Sequence, residues 1–131
     1  MVDFKKLERI VLKDVQTKEE YVLYEKGAPT RKEFSIGTNP ACEIVIYKRN
    51  LGKGQKMDST QAILTYSDED KGFKVMAGGR KKITHITRHV PEPDHFDTIG
   101  IKKPTLLEDG DSFFLRGYGF FYSEQEEFKD E

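Results

Sequence analysis

Side chains able to do chemistry are few in this chain. His85, His89 and His95, together with Asp94 and Asp97, offer imidazoles and carboxylates of the kind that bind divalent metals. Their spacing fits no established ligand motif, and His85 and His89 share a strand face only if one strand runs unbroken to Pro91. No metal is expected. Cys42 sits in a turn-forming stretch beside Glu43, with no histidine or helix start nearby in sequence, so an activated thiolate is not expected. Gly52-Lys53-Gly54 and Gly117-Tyr118-Gly119 look like phosphate loops but complete neither a Walker nor a dinucleotide pattern, and they read as turns. No Gly-x-Ser-x-Gly elbow and no framed carboxylate pair occurs. The chain is therefore expected to be no enzyme and to need no cofactor.

Charge distribution is the stronger signal. The net charge is only −1, yet residues 44–91 carry ten Lys or Arg against four acids, which leaves −7 for the rest. A cationic surface of this kind suits an acidic or phosphorylated partner, or is solvated loop charge. Two glycine-bearing segments concentrate it: Lys48 to Lys56, with Arg49 and Lys53 inside, and Gly78 to Lys82, with Arg80 and Lys81. Nucleic-acid binding would need exposed aromatics among these cations. Tyr47, Tyr66 and Phe73 fall in strand-like runs and are expected in or near the core.

The elements that would position these residues are strands. Short apolar runs (Ile10 to Leu12, Tyr21 to Tyr24, Phe34 to Ile36, Ile44 to Tyr47, Ala62 to Tyr66, Phe73 to Met76, Ile83 to Thr87, Leu106-Leu107, Phe113 to Leu115, Phe120 to Tyr122) alternate with Gly, Pro, Asn or Asp turns. The five prolines are expected between strands. About ten strands at this spacing imply an all-β, antiparallel two-sheet sandwich or barrel. No window holds a helical period, and the longest apolar runs are far short of the ~20 residues of a membrane helix. At 131 residues the chain has room for one domain, 1–131, with a core over about 7–123 and an acidic tail over 124–131 expected to fray. Hydrophobic residues make up 36% and charged residues 34%, a mix that argues for a small, well-solvated globule rather than a large buried core. The lone cysteine excludes an intrachain disulfide and thiolate zinc clusters, and no secretory signal is visible at Met1 to Lys13, so an intracellular location is expected.

Three blocks stand in a telling order: Phe34-Ser-Ile-Gly-Thr-Asn-Pro-Ala-Cys-Glu-Ile-Val-Ile46, Asp58-Ser-Thr-Gln-Ala-Ile-Leu64, and Leu106-Leu-Glu-Asp-Gly-Asp-Ser-Phe-Phe-Leu115. Together they resemble the forkhead-associated (FHA) domain, whose pattern runs Ile-Gly-Arg, acidic-Ile-x-Ile, Ser-Arg-x-His-Ala and Leu-x-x-Gly-Asp. The resemblance implies a β-sandwich with a phosphothreonine-peptide site in the loops at one end. It implies an inter-sheet core of Ile36, Ile44, Ile46, Ile63, Phe113 and Leu115. The chain departs from the pattern where phosphate is gripped: Thr38 stands for the Arg, Asp58 for the Ser, Ser59 for the second Arg and Gln61 for the His, and the family's Asn after the middle hairpin is missing.

The expectation is a non-catalytic, FHA-like interaction module or adaptor scaffold that binds a protein partner without phosphothreonine. Its working surface would be loops 38–42, 48–59 and 78–90, with Thr38, Asn39, Arg49, Lys53, Lys56, Ser59, Arg80, Lys81 and Lys82 as contacts. Phosphopeptide binding by relocated cations at 48–56 and 78–82 is the second reading. Electrostatic binding of nucleic acid or acidic lipid is the third. Self-association through an open sheet edge stays available to any unclosed sandwich.

Overall fold

Alternation of apolar and polar residues, period two, sends one row of side chains from each strand into a shared core. A computed structural model describes residues 4–54, 57, 59–78, 84–101 and 103–129. Twelve strands form two layers. The first five are β1 (Phe4–Asp14), β2 (Glu20–Glu25), β3 (Ala28–Pro29), β4 (Glu33–Gly37) and β5 (Ile44–Val45). A single 3-10 turn, Lys48–Asn50, then precedes β6 (Ala62–Ser67), β7 (Gly72–Ala77), β8 (Thr84–Pro91) and β9 (Asp94–Gly100). The chain closes with β10 (Thr105–Leu106), β11 (Ser112–Leu115) and β12 (Tyr118–Lys129). One sheet runs β3-β2-β1-β12-β11-β8-β9 and the other β10-β7-β6-β4-β5. The fold is all-β, as the turn spacing implies. No helix among the described residues is long and apolar enough to cross a membrane.

Between the layers lie Ile10, Leu12 and Leu23, then Phe34, Ile36, Ile44, Ile46 and Leu64, then Phe73, Val75, Ile86, Phe113, Leu115, Phe120 and Tyr122, all buried. Aromatic pairs knit the core: Phe34 meets Phe73 edge-on at 5.8 Å and Phe113 stacks on Phe120 at 5.4 Å. Ile63 is a correction. Its neighbours Ala62 and Leu64 take the inward positions, and a period of two leaves Ile63 half-buried on the opposite face.

Four further expectations change. The sandwich is not wholly antiparallel, because β4 and β5 run parallel, Ile36 opposite Ile44 and Gly37 opposite Val45. The six-residue connection 38–43 folds back tightly enough to return β5 along the same edge, and the Ile46 amide donates to the Gly37 carbonyl at 2.7 Å. Pro29 lies within β3 and Pro91 ends β8; both occur where an edge or a strand end requires no amide donor. The stretch read as a loop bracketed by Pro91 and Pro93 is a hairpin, Pro91 opposite Asp94 and His85 opposite Gly100. The acidic segment expected to fray continues β12 as far as Lys129, paired along β1 from Asp14–Phe120 to Phe4–Lys129. Backbone pairing with β1 holds this charged segment in the ladder.

Two buried polar centres pin the larger sheet. The Asp14 carboxylate accepts the Tyr118 hydroxyl at 2.6 Å and the Gln16 and Thr17 amides at 2.8 and 3.0 Å. Arg88 on β8 forks onto Asp111, Nε to Oδ1 at 3.0 Å and Nη2 to Oδ2 at 2.9 Å, and donates to the Leu106 carbonyl at 3.2 Å. That fork ties the β8–β9 hairpin to the turn entering β11. The turn closing β11 onto β12 is Arg116-Gly117, both at positive φ (52° and 88°), the geometry that continues the strand twist through a two-residue hairpin.

Candidate functional site

The parallel β4–β5 pair decides which loops meet. Gly37 ends β4 with its α-carbon against the backbone of Ser59. A methyl group there would lie 2.0 Å from the Ser59 carbonyl oxygen, so only glycine fits. The same carbonyl accepts the Asn39 amide at 3.1 Å and the Cys42 thiol at 3.3 Å. Next to it the Gln61 amide donates to the Ile36 carbonyl at 2.7 Å, and the Gly78 amide to the Gln61 carbonyl at 2.9 Å. Segments 37–42, 59–61 and 77–78 therefore converge at one end of the smaller sheet.

Of the sequence-based contact residues, Thr38, Asn39 and Ser59 come together here. Asn39 is committed to its own turn: its side-chain oxygen accepts the Ala41 amide at 2.9 Å and its carbonyl the Cys42 amide at 2.9 Å. Glu43, the family's acidic position before the strand, accepts the Ser35 amide at 3.0 Å and hydroxyl at 3.2 Å, fastening the loop to β4. Gln61 is fully buried and bridges β4 to the β7 exit through its backbone. Arg49 and Lys53 are exposed on the segment that leaves β5 at this same end, anchored by Leu51 and Met57, which pack on the core. Lys56, Asp58, Arg80, Lys81 and Lys82 lie outside the described residues.

Tyr47 is a correction and a residue that strand reasoning missed. It falls just past β5, is 47% exposed, and carries the Arg49 guanidinium over its ring at 4.6 Å. Ile44 and Ile46 take the inward positions, so a period of two leaves Tyr47 facing outward. The legible signal was Lys48-Arg49-Asn50 immediately after it, which cannot extend an apolar strand. Tyr66 is half-buried and Phe73 fully buried, as expected.

Cys42 is buried and its thiol serves as a hydrogen-bond donor, the role of a structural sulfur. On the far hairpin, β8 does run to Pro91, so His85 and His89 do share a face. Even so, His85 stacks on Phe114 at 5.1 Å, His89 pairs with Asp94, and His95 Nε2 lies 3.0 Å from Asp97. Among the described residues no three side chains of metal-ligating type converge.

Solved structures share this architecture. The FHA domain of Chlamydia trachomatis CT664 superposes with a TM-score of 0.65 at 15% identity, covering 90% of this chain and 99% of that domain. The fold is FHA-like. Mycobacterium tuberculosis EmbR, solved in complex with a low-affinity phosphopeptide, matches at 16% identity and a TM-score of 0.60, covering 88% of this chain. This chain spans only 24% of EmbR. The yeast Dun1 FHA domain, in complex with a doubly phosphorylated peptide, matches at 15% identity and 0.55, covering 95% of this chain and 79% of that one. No family model matches the sequence, and no curated protein matches it significantly. The converging 37–42 and 59–61 loops carry Thr38 and Ser59, both uncharged.

Proposed function

We propose that the chain is a non-catalytic protein-interaction module that docks a partner segment across the 37–42, 47–53 and 59–61 loops without a phosphothreonine grip. The FHA-like fold and the peptide complexes of EmbR and Dun1 support an interaction role. The observation that carries the phosphate-independent part is the apposition of Thr38 and Ser59, held by the Asn39 amide on the Ser59 carbonyl. Among the described residues no arginine stands at the centre of that junction to fork onto phosphate oxygens, the contact that makes phosphate recognition strong. Charge-assisted hydrogen bonds contribute about 1.5–3 kcal/mol each. Losing two weakens a phosphate preference by several kcal/mol, enough for phosphate-blind binding to dominate. Tyr47, with Arg49 seated on it, offers a flat, cation-edged surface that suits an acidic or aromatic partner side chain.

The test is a phosphothreonine peptide library and its unphosphorylated copy, titrated at two salt concentrations. Peptides bound equally with and without phosphate are the expected result. Binding confined to phosphorylated members would overturn it and assign the site to the cations of Arg49 and Lys53 and their neighbours. Equal, steeply salt-sensitive binding to any polyanion would overturn it in favour of an electrostatic nucleic-acid or lipid surface.

A further inference from the structure

An open sheet must protect its edges, and this sandwich has four: β3 and β9 on the larger sheet, β10 and β5 on the smaller. Three are two-residue strands, too short to template another chain. The fourth, β9, is seven residues long and exposed along nearly its whole length. Its sequence, Asp94-His95-Phe96-Asp97-Thr98-Ile99-Gly100, contains none of the lysines or prolines that ordinarily block edge pairing. Its two acids are each engaged within the hairpin, Asp94 by His89 and Asp97 by His95. Phe96 is 67% exposed, the most exposed large apolar side chain among the described residues, and rests against the His89 ring at 5.1 Å.

We propose that β9 pairs antiparallel with β9 of a second copy, about a two-fold axis at Phe96, so that the larger sheet continues from one molecule into the other. The strand is self-complementary about that residue. His95 of each copy faces Asp97 of the other on one face of the sheet; on the opposite face Phe96 meets its own counterpart and Asp94 faces Thr98. Neighbouring registers are worse: an axis at Asp97 opposes that carboxylate to itself, and an axis at His95 sets Phe96 against Asp94. Pairing at β9, on the edge of the larger sheet, uses none of the residues of the partner surface proposed above, whose loops join strands of the smaller sheet.

Sedimentation equilibrium on the full chain, with two charge variants, tests this. One carries His95→Lys and Asp97→Lys; the other carries His95→Asp alone. Each is checked for unchanged melting and circular dichroism. Wild type should dimerise reversibly. Each variant alone should dimerise about ten- to hundredfold more weakly, because both cross-strand pairs become like-charged. An equimolar mixture should regain wild-type association as a heterodimer. A wild type monomeric at millimolar concentration, variants that dimerise unchanged, or a mixture that fails to recover would each overturn the proposal. So would Phe96→Ser leaving association untouched.

Discussion

Replacing Arg88 with methionine isolates the fork that holds the β8–β9 hairpin. Asp111 has a side chain only 1% exposed, and Arg88 is its charge partner, forked at 3.0 and 2.9 Å. Hydrogen bonding to Asp111 holds the Arg88 guanidinium above its ordinary pKa, with Glu108 adding to the pull. Arg88→Met leaves the carboxylate buried with one remaining donor, the Glu108 amide at 2.8 Å. Removing one partner of a buried pair costs about 3–5 kcal/mol. Because the Arg88 side chain is 28% exposed, the low end applies, about 3 kcal/mol. For a chain of this length that is a drop of about 10–15 °C in Tm, or about 1.5–2 M in urea midpoint. The chain has no tryptophan, so circular dichroism and tyrosine fluorescence are the readouts. Adding Asp111→Leu removes the stranded charge and should recover about half the loss, the remainder reflecting the forfeited Glu108 amide bond. A loss under ~1 kcal/mol for Arg88→Met alone would refute the reasoning, since it would mean that water screens the fork as it does a surface pair.

Two further outcomes follow from geometry. Gly37→Ala places a methyl 2.0 Å from the Ser59 carbonyl, so it should separate the 37–42 and 59–61 loops, cost about 1–3 kcal/mol, and abolish partner-peptide binding; unchanged melting would show that the loops are not in contact. Burial, with Asp14 beside Tyr118 and Glu124 beside Tyr122, raises both phenols above their ordinary pKa of 10.0. A raised folded value means that the unfolded chain loses these protons first. Stability should thus hold below pH 10 and fall above it by up to ~1.4 kcal/mol per pH unit for each tyrosine. Urea titrations at rising pH, read with phenolate absorbance, check this; normal titration of both phenols with the fold intact would sink it.

How much was legible differs between fold and site. Apolar doublets and triplets separated by turn residues were enough for an all-β sandwich, because inward rows at period two need only sequence-local alternation. Ile36, Ile44, Phe113 and Leu115 were expected in the core through the FHA resemblance, and the two sheets bury them. Ile63, expected with them, stays half-buried, since neighbours Ala62, Ile63 and Leu64 are all apolar and only the facing sheet selects which alternate residues go inside. Likewise, Tyr47 read as strand until the parallel β4–β5 pair ended after two residues.

Residue order alone determined the β class, the lack of any intrachain disulfide and the segregation of positive charge into 44–91. Only the tertiary structure decided that Gly37 meets Ser59, that Arg88 reaches Asp111 across 23 positions, and that β9 ends the larger sheet as a seven-residue exposed edge. These depend on pairings distant along the chain. Such pairings are chosen by the joint packing of both sheets, which no local pattern encodes.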